Sequence, residues 1–300
     1  MRKNFYFTLF AVLIGSALCF QSCDSDPATD STPEEVAVDN TSTEEQDERD
    51  ETVKKIIYSI PSPVEMASLL QKSGVTFDAS ILNSTDNADN YTTAKSQALN
   101  MGIYGADLRY TSMYEQDQES LYYVAVAKKL ASELGVEDAL DDKVYQRLND
   151  NKDNRDSLLM IVSDSYRMLN RYLKENDREE ISALVIAGGW VEGLYIACAS
   201  YTPGNEQLGK RIAEQKYVLN DLMGLISTYG DSETLSDITA DLEGLKESFT
   251  AVELSKGKTE TFTDESGTMI IGGESSYSIS EEAVADITAK VNEIRSKYIQ

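Results

Sequence analysis

The sequence predicts an all-α fold, a multi-helix bundle of about eight or nine helices, and three observations carry that reading. Apolar residues recur at alternating spacings of three and four over long runs, the mark of one buried helical face. Helix-start and helix-stop residues punctuate those runs at helical lengths. One stretch, "VIAGGWVEGLYIACASY" at 185–201, is apolar on every side, which suits the central helix of a bundle.

The chain begins "MRKNFYFTLFAVLIGSALCFQSC". Arg2 and Lys3 form a short basic start, and the apolar run from Phe5 to Phe20 is shorter than the roughly 20 residues of a membrane span. Ser22, a small residue, precedes Cys23. The pattern resembles a bacterial lipoprotein signal, in which a peptidase cuts ahead of a cysteine that receives diacylglycerol. Phe20 and Gln21 depart from the commonest form of that signal, as lipoproteins of the Bacteroidetes often do. The resemblance implies a signal peptide over 1–22 and a lipid anchor on Cys23. Several acyl chains there, at ~0.8 kcal/mol per buried methylene, would hold the protein stably at a membrane. Cys19 would leave with the signal and Cys198 would stand alone, so the mature chain would have no internal disulfide.

Residues 23–52 read as the lipidated cysteine and an acidic tether, "DSDPATDSTPEEVAVDNTSTEEQDERDET" after it. A segment without aromatics and with few aliphatics cannot offset its chain entropy, so disorder is expected. Its like charges would extend it into a spacer. Acidic residues just behind the cysteine resemble the surface-export signal of Bacteroidetes lipoproteins, and both an outward-facing and a periplasm-facing position on the outer membrane remain open.

The helical domain is expected over 53–300. Ser62, Pro63 and Glu65 form a capping-box start, and Gly74 ends that helix. Residues 75–91, with "LNSTDNADN", read as a long loop. Helices are then expected from about Thr92 to Met113, Gln116 to Leu134 with a stop at Gly135, Asp138 to Leu148, and Asp156 to Lys174. "ENDREE" opens the apolar helix, which runs to about Ser200 before Pro203-Gly204 breaks it. Leu208, Ile212, Leu219, Leu222 and Ile226 share the next face. Leu235, Ile238, Leu242, Leu245, Phe249 and Val252 form one narrow seam, and Val284, Ile287, Val291, Ile294 and Tyr298 form another, as antiparallel helix pairs require. Between these seams, pieces near 259–272 can form a small β-hairpin or a loop.

The 185–201 stretch could nearly cross a bilayer, yet amphipathic helices flank it on both sides. Gly189 and Gly193 sit one turn apart, and Gly102 and Gly105 suggest a matching close approach of two backbones. Each glycine costs ~1 kcal/mol of helix propensity, which packing must recover.

With 52 acidic against 27 basic residues, the net charge is −25. That field repels phosphate backbones, so no nucleic-acid partner is expected. The chain has no histidine, which removes the usual general base and the Ser-His-Asp triad. No glycine-rich phosphate loop, dinucleotide fingerprint or nucleophile elbow is present, and no cofactor is expected. "NDNKDNRDSLLM" superficially resembles a calcium loop, but Asn154 stands where glycine is wanted and Met160 where the bidentate glutamate should be, so no metal site is expected. Cys198, in the apolar run, reads as a core residue.

Two carboxylates stand out. Glu192 lies within the apolar helix, and Asp107 lies between Tyr104 and Tyr110 on another. A buried carboxylate must be paired, hydrogen-bonded or protonated. One reading makes Glu192 a structural ion pair, with Arg109 or Arg167 as partner, or a hydrogen-bond acceptor from a tyrosine. The other gathers Glu192 and Asp107 as catalytic acid and base, with Trp190, Tyr195 and Tyr104 as a ligand-binding wall for a sugar or peptide. Most of the 17 tyrosines are expected to be core or boundary residues with a wet hydroxyl.

"IPSPVEMASLL" at 60–70, "ALNMGIYGADLRY" at 98–110, "NRDSLL" at 154–159 and "GGWVEGLYIA" at 188–197 together resemble a family of helical lipoproteins from Bacteroidetes that has no established activity. That resemblance implies location and class only. The expected function is a lipid-anchored cell-envelope protein, a non-catalytic binding or structural accessory with an envelope protein, glycan or peptide partner. The alternative is a carboxylate-based hydrolase acting on envelope polymers.

Overall fold

A computed structural model describes residues 51–53, 55–56, 74–137, 142–151, 154–176, 178, 180–230, 232–256, 260–263, 269–272 and 275–300. The expected signal peptide, Cys23, most of the tether and the helix start at Ser62 lie outside the described residues. Residues 51–53 and 55–56 are helical, with Val53 and Ile56 buried, so helix begins inside the stretch read as tether.

The fold is all-α. Eight further helices are described: α1 (Ala94–Met113), α2 (Asp117–Glu133), α3 (Asp142–Asp150), α4 (Arg155–Glu175), α5 (Glu180–Ala199), α6 (Glu206–Ser227), α7 (Ser236–Ser248) and α8 (Glu281–Tyr298). Their ends follow local chemistry. Thr93 and Ser96 close a reciprocal capping box on α1. Asn154, Asn205 and Ser280 cap α4, α6 and α8 by accepting backbone N–H bonds. Gly135, at φ +67°, stops α2 as expected.

Four short strands interrupt the helices. β1 (Glu253–Lys256) pairs antiparallel with β4 (Ser275–Ser278), and β2 (Glu260–Thr263) pairs antiparallel with β3 (Met269–Gly272). The inner pair occupies the segment left open between hairpin and loop, and the outer pair was not anticipated.

α5 is the centre of the bundle. By length and composition it could cross a membrane, with a mean hydropathy of 1.6. Here it packs against α1, α4, α6 and α8, and twelve of its residues, from Ile181 to Cys198, are buried. α1 and α5 run in the same sense, since Leu99 meets Gly188, Gly102 meets Gly189 and Arg109 meets Gly193. α2 runs back along α1, with Thr111 bonded to Ser120 and Gln97 to Glu133. α8 runs opposite to α7, with Asp241 beside Lys297 and Gly244 beside Lys290.

The glycine contact is real but shifted from its expected residues. A Cβ on Gly102 would lie 2.0 Å from the Val185 carbonyl oxygen, and one on Gly188 would lie 2.0 Å from that of Leu99. Gly189 faces Gly102 across the same contact. Gly105 instead faces open space, and Gly193 meets only the end of the Arg109 side chain. On crossing helices the tight approach is confined to the crossing, so residues a turn further on diverge.

Two other expectations need correction. Residues 75–91 are not a plain loop: 3-10 turns cover Ala79–Ile81 and Thr85–Asn90, and Leu82, Asn83 and Tyr91 are buried. α7 ends at Ser248, and its seam continues through a 3-10 turn, Phe249–Ala251, with Leu235, Phe249 and Val252 all buried. α3 is described from Asp142, and its expected start at Asp138 lies outside the described residues.

Because the approach at Gly102 leaves no room for a methyl group, Gly102→Ala and Gly188→Ala should each cost about 1–3 kcal/mol or more. Gly105→Ala on the same helix should instead gain about 1 kcal/mol. Urea unfolding of the three variants checks this ordering; a tolerated Gly102→Ala would contradict the contact.

Candidate functional site

The site grows from Glu192. Its helix, α5, is apolar around its circumference beyond the opening Glu180, so a charged side chain at position 192 is carried into the interior. Glu192 is fully buried. Both of its oxygens are taken by one guanidinium: Arg295 Nε donates to Oε2 at 2.6 Å and Nη2 donates to Oε1 at 2.8 Å. Nη2 also donates to the Ile81 carbonyl at 3.1 Å, and the guanidinium carbon stands 4.0 Å over the centre of the Tyr195 ring. The planar fork of arginine matches a carboxylate in this way, and a lysine ammonium would not. An aromatic face beneath it adds a cation–π term.

Asp107, on α1, is also fully buried. Its Oδ2 accepts the Asn83 N–H at 3.2 Å, while Oδ1 meets no conventional donor among the described residues. The carboxyl lies close enough to Glu192 for the charge of one to bear on the other. Two neighbouring carboxyl groups taken out of water disfavour being ionised together. Burial pushes both upward; the negative charge of Glu192 pushes Asp107 further, well above the usual carboxylate range. Arg295 pulls Glu192 back through two direct hydrogen bonds, and it has no such bond to Asp107. Asp107 is therefore the neutral acid and Glu192 the anion. This buried trio then carries one negative charge, one positive charge and one retained proton.

Around this pair a polar network pins the 81–84 segment. Asn83 is its hub and only 1% exposed. Its Nδ2 donates to the Tyr91 hydroxyl at 3.0 Å and to Asn100 Oδ1 at 3.3 Å, and its Oδ1 accepts from Asn87 at 2.8 Å. Tyr123 donates to the Asn83 carbonyl at 3.2 Å, and Tyr104 donates to that of Ser84 at 2.8 Å. Asn100 Nδ2 reaches the Tyr298 carbonyl at 2.7 Å. Burial raises both the Tyr104 and Tyr123 hydroxyls, so they act as donors throughout the accessible pH range. These hydroxyls are bonded inside the protein, contrary to the expectation that they face water.

The structure thus brings Asp107, Glu192, Tyr104 and Tyr195 together. It leaves Trp190 out: the indole N–H donates to Gln215 on α6 at 3.1 Å, because Trp190 and Glu192 project about 200° apart around a helix. The cation paired with Glu192 is Arg295 rather than the expected Arg109. Arg109 lies toward Gly193, and the Arg167 side chain is outside the described residues. Arg295 was missed, as were Asn83 and Asn100. One signal existed for Arg295, which follows seam residue Ile294 and sits one turn after Val291 on the last helix. Cys198 is buried, with its thiol pushed up to about 12 by burial, and is unreactive.

Neither carboxyl is open to solvent, so neither can take or give a proton to a bound substrate in this conformation. An open cleft of about 470 Å³ does exist elsewhere, lined by Lys95, Arg178, Glu180, Glu233 and Thr234 among others. Lys95 and Asp107 are twelve residues apart on α1, or about 18 Å along the helix. No group of three potential metal-ligating side chains occurs among the described residues.

Glu192→Gln should cost about 3–5 kcal/mol, because it strands the Arg295 charge in the interior. Asp107→Asn should cost no more than about 1 kcal/mol, because the amide N–H replaces the acid proton as donor. Asp107 binds its proton more tightly folded than unfolded. Its contribution is therefore complete below the unfolded carboxylate pKa, about 4, and is lost as pH rises through the higher folded value. Wild type should lose stability relative to Asp107→Asn as pH increases from about 4. Thermal melts of both proteins across pH check the sign.

Compared with known proteins, the chain matches no family model, no curated protein and no solved structure.

Proposed function

We propose that the chain is a lipid-anchored protein of the bacterial outer membrane, held by Cys23, whose helical domain is a non-catalytic binding or structural accessory. The anchor rests on the "LCFQSC" context behind a short apolar run, on the acidic residues that follow, and on the likeness of four sequence segments to Bacteroidetes lipoproteins. The partner is an envelope protein, glycan or peptide, either at the cell surface or facing the periplasm.

The observation that carries the non-catalytic half is the sealed state of the two carboxyls. Glu192 is fully committed to Arg295, and Asp107 to Asn83 and Glu192. A hydrolase built on this pair would need one of them at a substrate, and reaching it would break a buried ion pair at a cost of about 3–5 kcal/mol. The pair instead supports a rigid interior under a surface that does the binding.

Two experiments test the two halves. Cys23→Ala should move the protein from the membrane fraction to the soluble fraction of cells; retention through detergent-free washes would contradict the anchor. Purified wild type and Asp107→Asn should release no soluble fragments from envelope glycans or peptides. Release by wild type that is lost in a folded Asp107→Asn variant would establish the hydrolase instead.

A further inference from the structure

The open cleft where α1 and α5 begin carries charges of both signs. It encloses about 470 Å³, and its walls include Lys95, Arg178, Glu180, Glu233 and Thr234, with the buried Ile181 among them. Pockets that hold small ligands run from about 300 Å³ upward.

Bonds within the protein account for part of this charge. Lys95 is paired with Asp237. Glu180 accepts a hydrogen bond from the Thr234 hydroxyl at 3.3 Å. One cation and one anion remain. Arg178 donates through Nη1 to the Leu134 carbonyl at 2.8 Å, which holds the guanidinium in place and leaves its charge without a carboxylate among the described residues. Glu233 is exposed, and its carboxylate takes no hydrogen bond or ion pair among the described residues. Both line the same cleft, yet they stand too far apart to pair with each other.

We propose that this cleft binds a small zwitterion, an α-amino acid or a short peptide, with its carboxylate on Arg178 and its ammonium group on Glu233. The planar guanidinium matches a carboxylate with two N–H bonds to two oxygens, and a carboxylate accepts from an ammonium. A simple anion is opposed by Glu180, Glu233 and the net charge of −25. A simple cation meets Arg178 and Lys95. Only a ligand with both charges bridges the gap between the two unpaired groups. The site rests on the reading of the domain as a binding module and does not depend on the anchor. Its failure would leave the fractionation and fragment-release tests of that reading unaffected.

Nitrogen-15 NMR of the full-length protein, titrated with alanine and with alanylalanine, tests the site. Saturable shifts of the Lys95, Glu180 and Thr234 amide signals are expected. Tighter binding of alanine marks a free amino acid as the ligand, and tighter binding of alanylalanine marks a peptide. The N-acetyl form of that probe, which lacks the ammonium, and its amide, which lacks the carboxylate, should each bind about tenfold more weakly, as loss of one charge-assisted contact requires. Glu233→Gln should weaken the zwitterion about tenfold and leave the N-acetyl form unchanged, and Arg178→Gln should do the same with the amide form unchanged. Glu233 is exposed and has no bond to lose, so its variant decides the matter even where loss of the Leu134 bond unfolds the other. No saturable shift with either probe would overturn the proposal. So would a blocked form that binds as tightly as the zwitterion, or undiminished binding in Glu233→Gln.

Discussion

Arg295 reaches from the last helix into the interior and closes on both oxygens of Glu192, and most of the fold's internal geometry follows from that contact. Glu192 is carried inward because α5 has no polar face on which to leave it. Once inside, its charge needs a partner that is rigid, planar and always protonated, and arginine supplies all three properties. The same guanidinium caps the Ile81 carbonyl, so the pair also fixes where the 81–84 segment crosses α1, α5 and α8. Asp107 then has one way to remain buried beside Glu192, which is to keep its proton. Replacing the trio by hydrophobic residues of equal volume could leave a fold of similar stability. The contribution of the trio lies in allowing one arrangement of three helices.

Much of this architecture is legible in the sequence, for local reasons. The alternating spacings over 235–252 and 284–298 give two helices and their buried faces, since periodicity reports burial directly. The expected starts near Thr92 and Asp156 fall within two residues of the observed ones at Ala94 and Arg155, because a cap acts on its own turn. Gly102 against Gly189 is legible as a need for closeness, though Gly188 rather than Gly193 completes it. The exact pair depends on the crossing angle, which no single helix encodes.

The candidate site was half legible. Asp107 and Glu192 stand out because a carboxylate in an apolar run demands an explanation. Their joining could not be read, since 85 residues separate them and α1 and α5 meet only after folding. Arg295 was hidden by its ordinary setting on an amphipathic helix, where an arginine beside the seam looks like a solvent-facing charge. Asn83 was hidden more deeply. "LNSTDNADN" has the composition of a surface loop, and only tertiary contacts turn it into a buried hub.

The centre of this account is that one buried carboxyl group is neutral while its neighbour is charged. Carbon-13 chemical shifts of the Asp107 and Glu192 carboxyl carbons at neutral pH report that division directly. The account predicts a protonated shift for Asp107 and an ionised shift for Glu192. An ionised Asp107 in the folded protein, titrating near the ordinary aspartate value of about 3.9, would contradict it.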